Sequence, residues 1–105
     1  MSTFVLERVI PLAFDISSPD QLALHSRWAT DAYQASGIVW LGGVATDKGN
    51  MYSLIVADSV DDVHRYCALL GLKESEFKVS EVRANLGPRV AMSRTDPRYR
   101  APHKP

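Results

Sequence analysis

The sequence predicts an α+β domain in which four β-strands and two helices follow the order βαββαβ. Two observations lead to this prediction. Runs of β-branched and aromatic residues alternate with two segments whose apolar residues recur at helical spacing, and turn-forming residues separate these segments. With right-handed crossovers, this order gives a ferredoxin-like sandwich, an antiparallel four-stranded sheet with two helices on one face.

The first strand and the first helix have separate signals. Residues 3–11 (TFVLERVIP) are rich in β-branched residues, and the run stops at its final proline. Ser18, Pro19 and Gln21 then suit the N-cap, the first helical position and the third position of a capping box. We therefore expect a helix that begins at Pro19 and ends at Gly37, the usual left-handed terminator.

The middle of the chain predicts a β-hairpin. Residues 38–45 (IVWLGGVA) and 51–57 (MYSLIVA) are strand-like and flank the turn sequence TDKGN. Gly42 and Gly43 interrupt the second strand, and such a pair often marks a bulge or a close backbone approach.

The last elements are a second helix, a fourth strand and a tail. Ser59 is a capping candidate for a helix that ends at Gly71, and residues 76–84 alternate as a strand does. The ferredoxin-like domain therefore spans 1–86. Residues 87–105 carry a net charge of +4 against −4 for the rest, and they predict an extended, proline-rich tail outside the core. If ordered, this tail should lie across the acidic body or a partner subunit.

The composition excludes several partner classes. The net charge is zero, so the balance favours neither a nucleic-acid nor a membrane partner. No apolar run approaches the roughly 20 residues that cross a bilayer, and the N-terminus lacks the features of a signal peptide. The single cysteine permits no intrachain disulfide, so we expect a reducing, cytoplasmic location.

Both faces of the predicted sheet are apolar. In the first strand, Phe4 and Leu6 point to one side, while Val5 and Val9 point to the other. A sheet face left in water carries more polar residues than this. We therefore expect the second face to be buried against another subunit in a homodimer.

His25 is the candidate catalytic residue. It lies in an apolar helical stripe whose small residues leave space between helix and sheet. The stripe consists of Leu22, His25, Ala29, Ala32 and Tyr33, with Trp28 at its edge. Two interpretations stay open: a structural histidine bonded to backbone or tyrosine, or a pocket histidine that acts as base, acid or ligand.

Four aromatic and three charged residues are candidates for lining a ligand pocket. They are Trp28, Tyr33, Trp40, Tyr52, Glu7, Glu81 and Arg83. The alternative is that the aromatic residues pack in the core or an interface. The charged residues, together with Arg8, would then form ion pairs across neighbouring strands or across the dimer interface.

His64 and Cys67 are candidate metal ligands. Their spacing of three residues places both near one face of the second helix, where they can share a metal ion. In the alternative, Cys67 is a small core residue near the centre of the apolar stripe, and His64 lies on the shoulder of that stripe.

Several motifs are shared with a known family. They are Glu7-Arg8, Trp40-Leu41, Asp47, Tyr52, Leu54, Ala57 and Gly71. Over roughly residues 3–83 the chain thereby resembles small bacterial ferredoxin-like proteins, long described as a domain of unknown function, with a nickel-binding member. The resemblance implies the same fold and suggests nickel. Ser53 and Cys67 depart from it, since the family often has Cys and His at these positions.

Two classes of function follow. The first is a small ligand-binding or metal-binding protein, with nickel or another divalent metal implied by the resemblance. The second is an enzyme of the dimeric α/β-barrel group, such as a cofactor-free monooxygenase, isomerase or cyclase. It would act on a hydrophobic or aromatic small molecule, with His25 as acid or base. Neither class calls for an organic cofactor.

Overall fold

A computed structural model describes residues 1–11 and 13–102, and it confirms the ferredoxin-like α+β fold. The elements are β1 (Ser2–Val9), α1 (Pro19–Ala35), β2 (Val39–Ala45), β3 (Asn50–Ala57), α2 (Val60–Leu69) and β4 (Phe77–Glu81), with single 3₁₀ turns at Glu74–Glu76 and Pro88–Val90.

The four strands form one antiparallel sheet in the order β2-β3-β1-β4. β1 is central, so that Val5 lies opposite Leu54 of β3 on one side and Ser80 of β4 on the other. Both helices pack on the face to which Phe4 and Leu6 point, and this packing leaves the other face of the sheet open.

Side-chain caps and glycines set the helix limits, largely as predicted. The Ser18 hydroxyl accepts a hydrogen bond from the Gln21 amide at 3.3 Å, and Ser59 caps α2 in the same way. Gly37 and Gly71 follow the helices with φ angles of 73° and 78°. The predicted capping box is wrong in one detail, because the Gln21 side chain accepts from the Asp15 amide at 2.7 Å rather than from the N-cap residue.

A stack of aromatic rings lies at the centre of the core. Tyr33 of α1 and Tyr66 of α2 stack with their centroids 4.3 Å apart, and Trp40 of β2 lies 6.2 Å from Tyr33. The buried core residues are Phe4, Leu6, Ala29, Tyr33, Ile38, Ile55, Ala57, Val63, Tyr66, Cys67 and Phe77.

The hairpin confirms both roles predicted for its glycines. The pairing of β2 with β3 shifts register between Trp40 and Gly42, where Gly42 has a φ of 130°. A Cβ atom added to Gly43 would collide with the backbone oxygen of Tyr52 and lie 3.3 Å from Cα of Ser53. Only glycine therefore allows β2 to approach β3 this closely.

Two strands are shorter than predicted. β1 ends at Val9, and the next amide, that of Ile10, donates to the Gly49 carbonyl of the hairpin turn at 2.8 Å. β4 ends at Glu81, because its partner β1 starts at Ser2 and offers only one further bond, from the Val82 amide to the Thr3 carbonyl at 2.8 Å. The apolar alternation of residues 76–84 therefore extends beyond the available partner strand.

The open face of the sheet exposes large aliphatic side chains. Val39, Leu41, Val44 and Leu54 are 51%, 55%, 64% and 39% exposed. A shallow depression of 360 Å³ lies among them, beside Gly43. We name this surface the open sheet face. Burial of this face in a homodimer stays a prediction.

The described part of the tail is exposed. Leu86, Val90 and Tyr99 lie at the surface, and the hydrogen bonds within residues 87–102 are local, as between the Val90 amide and the Gly87 carbonyl. The tail does not lie across the body of its own chain, so docking on a partner subunit stays a prediction. His103, Lys104 and Pro105 lie outside the described residues.

Candidate functional site

A groove runs between the N-terminal half of α1 and the connection that follows β1. It has a volume of 650 Å³ and opens to solvent. Its lining residues are Pro11, Ala13, Phe14, Gln21, Leu24, His25 and Trp28. We name it the α1 groove. It is larger than four other depressions of the surface, which measure 120–500 Å³.

Local hydrogen bonds hold the connection against the helix. The Phe14 amide donates to the Pro11 carbonyl at 2.9 Å, which turns the chain so that the Phe14 ring faces α1. The Asp15 amide donates to the Gln21 side chain. The Asp15 carboxylate accepts from the hydroxyl and the amide of Ser17, and these bonds lower its pKa. The outer wall of the groove is therefore built by bonds that reach only a few residues along the chain.

His25 is half-buried between two aromatic rings. The edge of its imidazole meets the Phe14 ring at a centroid distance of 4.7 Å and an angle of 84°, and Trp28 lies 6.1 Å away. Within the described chain, neither ring nitrogen has a hydrogen-bond partner. The imidazole therefore offers one donor and one acceptor to a molecule in the groove.

Burial, and then the positive charge of Arg8, lower the pKa of His25 below its usual 6.5. The imidazole is consequently neutral at pH 7. A neutral imidazole can accept a proton or orient a polar group, and it does not add a second positive charge beside Arg8.

Of the predicted pocket aromatics, the α1 groove includes only Trp28. Tyr33 is 5% exposed and stacks on Tyr66 inside the core, with Trp40 beside it. The α1 groove therefore differs from the predicted pocket, which was expected between α1 and the sheet. Ala29 and the two tyrosines belong to one buried core cluster, and Ala32 packs against it.

The remaining predicted lining residues lie elsewhere. Tyr52 lines the depression on the open sheet face. Glu7 also lies on that side of the sheet, opposite Tyr52 and Lys78 in register. Glu81 and Arg83 pair at 3.1 Å near the chain start, around a separate polar depression. The sequence analysis gave ion pairs across neighbouring strands as the alternative role of these charged residues. Glu81 and Arg83 do form an ion pair, but both residues lie at the end of the same strand, β4.

The two predicted metal ligands are not arranged to share an ion. Cys67 is fully buried in the core, and burial raises the pKa of its thiol to about 11. His64 is exposed, packs edge-on against Phe77 at 5.4 Å and lies 4.0 Å from the Glu74 carboxylate. Among the described residues, no three His, Cys, Asp or Glu side chains gather as a metal site would require.

The sequence predictions missed the outer wall of the groove. Pro11, Ala13 and Phe14 belong to the stretch PLAF, which carries no helical or strand period. Its only signal is that a proline, an alanine and a phenylalanine occur together in a connection, where polar residues are usual. The role of Leu24 was also missed, because it lies off the apolar stripe of α1 and is 72% exposed.

Comparison with protein-family models, with curated proteins and with solved structures found no significant match for this chain. The fold and the groove therefore define the class of protein. It is a ferredoxin-like α+β protein with an apolar groove beside its first helix. No helix in the described part of the chain has the length and apolarity needed to cross a membrane.

Proposed function

We propose that this chain is a small-molecule-binding protein and that the α1 groove takes a hydrophobic or aromatic ligand. One observation carries the proposal. The imidazole of His25 lies among apolar and aromatic walls in a groove of 650 Å³, and within the described chain its nitrogens have no hydrogen-bond partner. The family resemblance agrees with a binding protein, and it is also the sole support for nickel as the ligand.

The groove has the size and chemistry of a ligand site. Small-molecule sites typically measure about 300–1,000 Å³, with mainly apolar walls and a few polar groups that fix orientation. Phe14 and Trp28 supply aromatic surface, and Leu24 supplies aliphatic surface. The Gln21 side-chain oxygen already bonds Asp15, so His25 is the residue that offers both a donor and an acceptor, beside the donors of the Gln21 NH2 and the Trp28 indole.

Binding is better supported than catalysis. His25 is the only titratable side chain among the described residues that line the groove. A neutral imidazole can serve as a base in a cofactor-free enzyme, as the alternative function requires. Such an enzyme also needs groups that stabilise developing charge, and the lining residues offer only neutral donors for this, the Gln21 side-chain NH2 and the Trp28 indole N–H.

We also propose that the protein forms a homodimer through the open sheet face. Four strands spaced about 4.8 Å apart and up to about eight residues long present roughly 500 Å² of face per copy. Two such faces give roughly 1,000 Å², which is the minimum for a biological interface and lies below the standard range of about 1,200–2,000 Å². A second copy suits the surface because apolar side chains surround a depression that a partner side chain can fill. We place the protein in the cytoplasm, where its single thiol would stay reduced.

Tryptophan fluorescence tests the ligand proposal. The chain has two tryptophans, so a Trp40→Phe variant reports only on Trp28 in the groove. We expect hydrocinnamyl alcohol, an aromatic probe transparent at the excitation wavelength, to shift Trp28 emission to the blue in a saturable way. Replacing His25 with Gln in the same background should weaken the apparent affinity by about threefold to tenfold, the value of one hydrogen bond.

The matched control is the Trp28→Phe variant, which retains only Trp40 in the core. Its emission should not respond to the probe. Equal responses from both variants, or no saturable response from Trp28, would contradict the proposal.

A further inference from the structure

Three side chains that carry N–H groups lie in a row along the α1 groove. Gln21, His25 and Trp28 follow one another on α1 at intervals of four and three residues, so each lies about one turn beyond the last. All three line the groove. At a rise of about 1.5 Å per residue, the row is about 10 Å long. A small aromatic molecule with a short side chain can lie along it.

A bond to the connection before α1 fixes the orientation of the Gln21 amide. The Asp15 backbone N–H donates to the Gln21 side chain at 2.7 Å, and only the amide oxygen can accept such a bond. The NH2 group is therefore at the end away from Asp15. Within residues 1–11 and 13–102 this NH2 group has no acceptor. Gln21 thus keeps its donor end available to a ligand.

Donors outnumber acceptors along the row. Gln21 offers its NH2 group, Trp28 its indole N–H and His25 one ring N–H. Among the described lining residues, the one side-chain acceptor without a bond is the second ring nitrogen of His25. The remaining lining side chains are apolar: Pro11, Ala13, Phe14 and Leu24. A ligand that accepts hydrogen bonds satisfies these donors, whereas a ligand that only donates leaves them without partners.

The charges around the groove favour an uncharged ligand. No acidic or basic side chain other than the neutral His25 lines the groove among the described residues. The carboxylates next to it along the chain, those of Asp15 and Asp20, lie outside the lining, and Asp15 already binds Ser17. A charged ligand of either sign would therefore lose hydration without gaining a counter-charge on the groove wall.

We infer that the ligand of the α1 groove is an uncharged molecule with an aromatic ring and a carbonyl group, and that Gln21 and His25 select it by donating hydrogen bonds to the carbonyl oxygen. This inference rests on the proposed function and narrows it to a class of ligand. A carbonyl oxygen has two lone pairs, so it can accept from two side chains that lie one turn apart. The aromatic ring lies toward Trp28 and against Phe14, whose ring already contacts His25.

Three probes with one carbon skeleton test the inference. Benzylacetone, the alcohol formed by reducing its carbonyl group and the corresponding amine differ only in the polar group. The ketone only accepts hydrogen bonds, the alcohol accepts and donates, and the protonated amine only donates. A ¹⁵N-edited NMR titration of the full-length protein, followed at the Trp28 indole signal, gives the dissociation constants.

We expect the wild-type groove to prefer the uncharged acceptor. The ketone should bind at least as tightly as the alcohol and about tenfold more tightly than the amine, which leaves the donors of the row without partners. Hydrocinnamate, an acceptor with a negative charge, should also bind more weakly than the ketone because the groove wall offers it no cation.

Gln21→Glu reverses the donor end of the row. Glutamate keeps one oxygen for the Asp15 amide, replaces the NH2 group by an oxygen of similar size, and suits the first turn of a helix. The variant should weaken ketone binding at least about tenfold more than alcohol binding, because a hydroxyl can turn its hydrogen toward the new carboxylate and a ketone cannot. Amine binding should become tighter.

Gln34→Glu is the matched control. Gln34 lies on the same helix, is exposed and does not line the groove, so this variant should keep the wild-type ratio of ketone to alcohol affinity. Circular dichroism shows whether each variant is folded. The comparison of probes on the wild-type protein does not depend on either variant.

The possible results separate the inference from the proposed function. A wild-type groove that binds the alcohol, the amine or hydrocinnamate more tightly than the ketone overturns the carbonyl inference and leaves the groove proposal intact. An unchanged ratio of ketone to alcohol affinity in folded Gln21→Glu does the same. If none of the four probes binds, the inference and the proposed function fail together.

Discussion

His25 shows how one side chain responds to its location at the rim of a core. Its Phe14 contact and partial burial favour the uncharged imidazole, and the charge of Arg8 acts in the same direction. The residue type and its place on α1 were evident from the sequence. The actual neighbours were not, because Arg8 and Phe14 come from β1 and its connection, and only the fold brings them to the helix.

The first prediction concerns the pH dependence of stability. The folded state lowers the pKa of His25 below its usual 6.5, so the unfolded chain binds this proton more readily. The contribution of His25 to stability is therefore complete above about pH 6.5 and is lost as the pH falls through the folded pKa. Urea unfolding of wild type and His25→Gln measures it.

The wild type should lose more unfolding free energy than the variant between about pH 7 and pH 5. Carboxylates titrate equally in both proteins, so the difference belongs to His25. A wild-type protein that gains stability relative to the variant on acidification would show that the fold raises the pKa of His25 instead.

At the scale of elements, the helices and the hairpin were predictable because local chemistry sets their limits. Ser18 and Ser59 cap the helices, and Gly37 ends the first one, without help from distant residues. The ends of β1 and β4 were not predictable in the same way, because a strand extends only as far as its partner. The α1 groove was missed for a related reason, since its outer wall is a connection without periodicity.

The second prediction concerns the hairpin. Gly43→Ala should lower the unfolding free energy by about 1–3 kcal/mol, because the added methyl group collides with the backbone of β3 at Tyr52 and Ser53. Leu69→Ala is the control, since Leu69 is 75% exposed and lies on α2, away from the hairpin and from the open sheet face. Urea denaturation of both variants makes the comparison. Equal losses would contradict the close approach of the two strands at Gly43.

At the scale of the whole molecule, two surfaces lie outside the core. The Cα radius of gyration is 17.3 Å and the longest dimension 52 Å, whereas a compact chain of this length has a radius of about 13 Å. The exposed tail accounts for the difference. The apolar character of the open sheet face was predictable from β1, because this strand carries apolar side chains on both of its sides.

The third prediction concerns assembly. Leu54→Glu places a charge in the middle of the open sheet face and should convert the proposed dimer to a monomer in sedimentation equilibrium at micromolar concentration. Leu69→Glu is the matched control. Leu69 is even more exposed, at 75%, but lies on α2 away from the open sheet face, so its variant should remain dimeric. A monomeric wild-type protein would contradict the proposal.

The fourth prediction concerns the tail. Deleting residues 88–105 should leave cooperative thermal unfolding and the melting temperature nearly unchanged, because the described tail residues contribute nothing to the buried core. Circular dichroism of the truncated and full-length proteins checks this. A broad, non-cooperative transition in the truncated protein would show that the tail is part of the folded unit.

The central claim is that the α1 groove, rather than the open sheet face, is the ligand site. Both surfaces are apolar, so an experiment must show which of them a ligand contacts. The most direct measurement is a ¹⁵N-edited NMR titration of the full-length protein with hydrocinnamyl alcohol, followed through assigned amide and indole signals. We predict saturable shifts centred on Phe14, His25 and the Trp28 indole. Shifts confined to Val44 and Leu54, with the groove signals unmoved, would contradict the account.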